Sequence, residues 1–93
     1  MSVVIIGGHD RMVRQYKEIC RNHKYKAKVF TQMCTGLDKQ IGSPDLLILF
    51  TSTVSHKMIR CVLEEVDEQR TDVVRCHTSS KSALTEILEW HSA

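Results

Sequence analysis

The chain has 93 residues, 42% of them hydrophobic and 26% charged, with a formal net charge of +2. That make-up fits one small soluble globular domain, in which roughly a third of the surface stays exposed and a partner subunit would add useful burial. A small charge spread along the chain argues against a phosphate-neutralising basic face, and no apolar run approaches the ~20 residues of a bilayer span, so neither nucleic acid nor membrane is an expected partner and the expected location is cytoplasmic.

The first predicted strand is Val3 to Ile6, a continuous apolar run closed by Gly7 and Gly8, as in a buried parallel strand meeting a turn. Asp10 is placed to cap a helix in which Met12, Val13, Tyr16, Ile19, Cys20 and His23 share one stripe. A second strand covers Lys26 to Phe30. The alternating Lys24, Lys26 and Lys28 at its entrance read as a solvated edge. The turn-rich stretch that follows carries one expected helical turn, Gly36 to Gln40, and ends at Pro44. Leu46 to Phe50 is the most apolar segment and is expected to be a central strand. Ser55 then caps a helix running to about Gln69, with Met58, Ile59, Val62 and Val66 inward. A fourth strand spans Asp72 to Arg75. Thr78, Ser79 or Ser80 caps a last helix that turns Leu84, Ile87 and Leu88 to the sheet and ends near Trp90.

Alternation of strands and helices implies an α/β fold: a three-layer, Rossmann-like or flavodoxin-like single domain over 1–93, with a four-stranded parallel sheet in the expected order 2-1-3-4. In such a sheet ligands bind beyond the carboxyl ends of the strands, at the switch point. The potential metal donors fall there: His9 follows the first strand, Cys34 the second, His56 the third, and Cys76 and His77 the fourth. Cys76 and His77 are neighbours, so an extended backbone points them to opposite sides. Gly7, Gly8, His9, Asp10 and Arg11, with Ser55, His56, Thr78, Ser79 and Ser80, are the candidate ligand-binding residues of the same edge. Glycines there permit close backbone approach, and helix N-termini favour an anionic group.

Several chemistries are excluded by what the motifs lack. The glycine pair is not GxGxxG, because Arg11 and Met12 stand where later glycines belong. A response-regulator receiver needs an acidic cluster after the first strand and an Asp after the third, where Gly7, Gly8 and Thr51 stand. A low-molecular-weight phosphatase needs Cys-x5-Arg, and neither a nucleophile elbow nor a P-loop is present. There is no CxxC and no CxxCH, so zinc-ribbon, thioredoxin-type and c-type haem arrangements are absent. The four cysteines are widely spaced and are expected as free thiols, Cys20 and Cys61 within helices as packing residues. The expectation is a binding module and not an enzyme.

The segments GGHDRM, KVFTQM, IGSPDLLILFTSTVSHKM and RCHTSSKSAL resemble a bacterial, Firmicutes-type family of small Rossmann-like domains of unknown function. The resemblance implies non-covalent haem binding by the short form, in a ring-like homo-oligomer, with no established enzymatic activity and no assigned axial ligand. A b-type haem needs one or two axial ligands, an apolar surround and groups for its propionates. The iron-ligand candidates are Cys76, His77, His9, His56 and Cys34; Met12, Met33 and Met58 are candidate walls, and Arg11, Lys57, Ser79 and Ser80 candidate propionate partners. With only five aromatic residues, so small a domain is expected to share the site between subunits, in the service of redox or gas sensing or of haem carriage. The alternative is a module binding a nucleotide or small phosphorylated anion at the switch point.

Overall fold

The structure is a computed structural model and describes residues 2–31, 41–42, 44–66 and 69–92. Four strands, β1 (Ser2–Ile6), β2 (Lys26–Phe30), β3 (Leu46–Phe50) and β4 (Asp72–Cys76), form one sheet in the order β2-β1-β3-β4 with every pair parallel. Among the described residues, three helices follow strands in full: α1 (Val13–Asn22) after β1, α2 (His56–Glu65) after β3 and α3 (Lys81–Ser92) after β4. The expected α/β architecture and strand order are those observed.

Strand alternation divides the core in two. On one face Val3, Ile5, Leu46, Ile48 and Phe50 meet Tyr16 and Cys20 of α1 and Leu84 and Leu88 of α3. On the other, Val4, Ile6, Leu47 and Leu49 meet Met58 and Val62 of α2, together with Val66 and Ile41. All five residues of β3 are buried, because both of its faces are covered and it lies inside the sheet. That double burial is why the sequence shows a continuous apolar run there and no alternation.

The local corrections have electrostatic and steric causes. Asp10 does not cap α1: it begins a 3-10 turn over Asp10–Met12, and Met12 occupies the cap position with no side-chain hydrogen bond. The Asp10 carboxylate instead accepts a hydrogen bond from the Thr31 hydroxyl at the end of β2. Helix α2 stops at Glu65, short of Gln69, and Val66 is extended, with φ −96° and ψ 144°. Its last turn holds no basic residue, so Glu64 and Glu65 face the negative end of the helix dipole, and burial of Val66 rewards the turn inward. Ser55 and Ser80 are the caps: Met58 N–H donates to Ser55 Oγ at 3.3 Å and Ala83 N–H to Ser80 Oγ at 3.2 Å. The expected helical turn Gly36 to Gln40 lies outside the described residues.

Helix α1 ends in a Schellman turn, with Tyr25 N–H donating to the Cys20 carbonyl at 2.8 Å and Lys24 N–H to that of Arg21 at 2.9 Å. The left-handed position of that turn, which usually holds glycine, is taken by Lys24 with φ 64°. A side chain there costs about 1 kcal/mol.

Candidate functional site

The described loops at the carboxyl edge of the sheet follow β1, β3 and β4, and hydrogen bonds join them to one another and to the end of β2, forming one rim. Gly7 N–H donates to the Phe30 carbonyl at 2.9 Å, joining the β1 turn to β2. Gly8 N–H donates to Thr53 Oγ1 at 2.6 Å, and the same hydroxyl donates to the Phe50 carbonyl at 3.0 Å, joining β1 to the loop after β3. Thr51 N–H donates to the Cys76 carbonyl at 2.9 Å, and the Tyr16 hydroxyl donates to the Ser79 carbonyl at 2.5 Å, adding the loop after β4.

The glycine pair is required sterically. Gly7 has φ 106°, and a Cβ there would stand 2.8 Å from Thr53 Oγ1 and 2.9 Å from the Phe50 carbonyl oxygen. Gly8 has φ 85°, and its Cβ would stand 2.6 Å from the Tyr16 ring. Tyr16 is fully buried, its ring centroid 5.5 Å from that of Phe50. Burial pushes its phenol above the ordinary value, and the hydrogen bond to Ser79 acts the other way more weakly.

The described donors are distributed along this rim. His9, at the end of the β1 turn, is exposed, as are His56 at the first position of α2 and His77 just past β4. Cys76 is half-buried, packs against the core on the α1 side, and donates its S–H to the Thr78 carbonyl at 3.1 Å. Cys34 and Met33 lie outside the described residues. No group of three or more His, Cys, Asp or Glu side chains able to hold a metal ion occurs among the described residues. Arg11, Ser55, Lys57, Thr78, Ser80 and Lys81 are exposed along the rim, and Ser79 is half-buried. Met12 is half-buried, whereas Met58 is 3% exposed and belongs to the core under α2, so it forms no wall of a rim site.

Of the cysteines expected as packing residues, Cys20 is fully buried and its thiol is pushed up to about 11 by that burial; Cys61 is half-buried. Both are free thiols, as is Cys76. The residues missed from sequence are Tyr16 and Thr53 as ties of the rim. Tyr16 carried a readable signal, since a tyrosine on an otherwise apolar stripe needs a partner for its hydroxyl.

A parallel sheet of this order with a knitted rim of loops at its carboxyl edge defines an α/β protein of Rossmann-like type. No curated protein and no solved structure matches it. Over residues 2–91 the chain matches the model of an uncharacterized protein family conserved in bacteria, DUF2325, and it belongs to that family. No helix among the described residues is long and apolar enough to cross a membrane.

Proposed function

We propose that this chain is a cytoplasmic, non-covalent haem-binding protein that holds b-type haem against the rim of its sheet, within a homo-oligomer. The observation that carries the reading is the dispersal of donors: His9, His56, His77 and Cys76 are spread over the ends of β1, β3 and β4. A bare metal ion asks the protein for three or four converging ligands, whereas a porphyrin brings four nitrogens and asks for one or two axial groups. When bound, the haem would supply redox chemistry and an iron able to take up a diatomic gas.

The chain's own residues would position that group. An imidazole of His9, His56 or His77, or the Cys76 thiol after giving up its hydrogen bond to Thr78, is an axial donor of suitable chemistry. Arg11, Lys57 and Lys81 are exposed cations suited to propionates, with Met12 as nearby apolar surface. Because the three imidazoles are exposed and Cys76 is only half-buried, exclusion of water from the iron calls for surface from a second chain.

A nucleotide or small anion has weaker support, since both glycine N–H groups of the β1 turn are already donated within the protein and Ser55 and Ser80 are engaged as caps. The test is hemin titration of single alanine variants at His9, Cys34, His56, Cys76 and His77, with Cys61→Ala as control. One variant is expected to shift the Soret band and loosen haem, and the control to do neither. Identical spectra for all five would refute rim ligation.

A further inference from the structure

Positive charge is concentrated on α1, on β2 and at the turn between them. Residues 11–28 hold seven of the chain's thirteen Lys and Arg residues but one acid, Glu18. Helix α1 packs beside the edge strand β2, and the surface between them forms two contiguous grooves. Arg14, Lys17, Glu18 and Arg21 line the first; Lys17, Arg21, Lys24 and Lys26, with Tyr25 and Ala27, line the second. Lys17 and Arg21 are common to both, so five exposed cations form a continuous track. Along α1, Arg14, Lys17 and Arg21 recur at helical spacing on one side.

We propose that this track binds the backbone of a single-stranded nucleic acid, with Tyr25 as a stacking surface for a base. Two observations favour that ligand. An aromatic ring lies among the cations: Tyr25 is half-buried and lines the groove with Lys24 and Lys26, the combination of cationic groove and aromatic ring that single strands use. The second observation is Lys24, which holds a left-handed backbone position that glycine would fill more stably and which places an ammonium in the groove. Cations at the end of a helix also complement its dipole, but that accounts for Arg21 and not for Arg14, Lys17 or Lys26. The inference is independent of haem, and it departs from the expectation of no nucleic-acid partner, which took the charge as spread along the chain and Lys24, Lys26 and Lys28 as a solvated edge.

The test is fluorescence anisotropy with labelled single-stranded DNA and RNA of about 12 nucleotides, against a duplex of equal length and vesicles containing phosphatidylserine. If about four cations meet phosphates, log K should fall with log salt with a slope of roughly −3 for the single strands. Arg21→Glu should weaken binding at least tenfold and flatten the slope. Tyr25→Leu should weaken it with the slope unchanged. Lys24→Gly should weaken binding while raising the melting temperature, a combination that misfolding cannot produce. Absence of salt-dependent binding at about 50 mM salt, binding indifferent to Arg21→Glu, or tighter binding to duplex or vesicles than to either single strand would overturn the proposal. A difference between the DNA and RNA arms identifies which strand is the ligand.

Discussion

Gly8→Ala should be among the most damaging single-methyl changes available to this protein. Its Cβ would lie 2.6 Å from Tyr16 Cε2 and 2.7 Å from the Tyr16 hydroxyl oxygen. The ring cannot retreat easily, since Tyr16 is fully buried, Phe50 lies 5.5 Å away and Ser79 holds the hydroxyl. A side chain at φ 85° costs about 1–2 kcal/mol. Overpacking adds roughly 1–3 kcal/mol, for about 2–5 kcal/mol in all. A small domain has about 5–15 kcal/mol of stability, so a large share is at stake. Gly42→Ala isolates the conformational part, because Gly42 also has positive φ (64°) but its Cβ would meet nothing within 4 Å. Urea unfolding followed by circular dichroism measures both, with the difference read from midpoints at constant slope. If the two variants differ by less than about 0.5 kcal/mol, Tyr16 is not wedged against Gly8 as described.

Other predictions follow from the same contacts. Thr53→Val keeps the shape but leaves the Gly8 N–H without its partner, and should cost about 1–3 kcal/mol by denaturant unfolding. Leu88→Ala, at a fully buried position under α3, should cost about 2–5 kcal/mol; an unchanged melting midpoint would contradict the packing of that helix. The Cys20 thiol titrates near 9 when unfolded and about 11 when folded, so the folded state holds its proton more tightly. Stability should therefore be intact below pH 9 and fall as pH rises toward 11, and Cys20→Ala should flatten that part of the pH profile. For the proposed haem site, dilution of loaded protein in the analytical ultracentrifuge should release haem as monomers form, and haem-loaded monomers with an unchanged spectrum would refute a shared site.

The layered α/β fold was legible because Val3 to Ile6 and Leu46 to Phe50 are apolar without alternation, which only strands covered on both faces require. The inward stripe of α2 was equally legible from Met58, Ile59 and Val62, and Val66 is buried although it lies just past the helix. The end of α2 was not, since the placement of Glu64 and Glu65 at its negative pole matters only once competing burial of Val66 is known. Asp10 was misread for a similar reason: a capping residue type cannot reveal that a hydroxyl from the end of another strand, Thr31, will claim its carboxylate. At the rim, the strand-end positions of His9, His56, Cys76 and His77 could be read from spacing. The ties made by Tyr16 and Thr53 join residues 63 and 45 positions apart, and no local pattern records such pairings.

Those ties also set the dynamics of the rim. Loop amides usually exchange with solvent through small local openings, at free energies well below that of global unfolding. The Gly7 and Gly8 amides are buried and bonded to the end of β2 and to Thr53, whose hydroxyl is anchored on β3, so releasing them means separating elements of the core. Their hydrogen exchange should be as slow as that of β1 itself. The turn after β1 and the loop after β3 are thus already ordered before any ligand arrives, so association with them proceeds without the entropic cost of folding those segments.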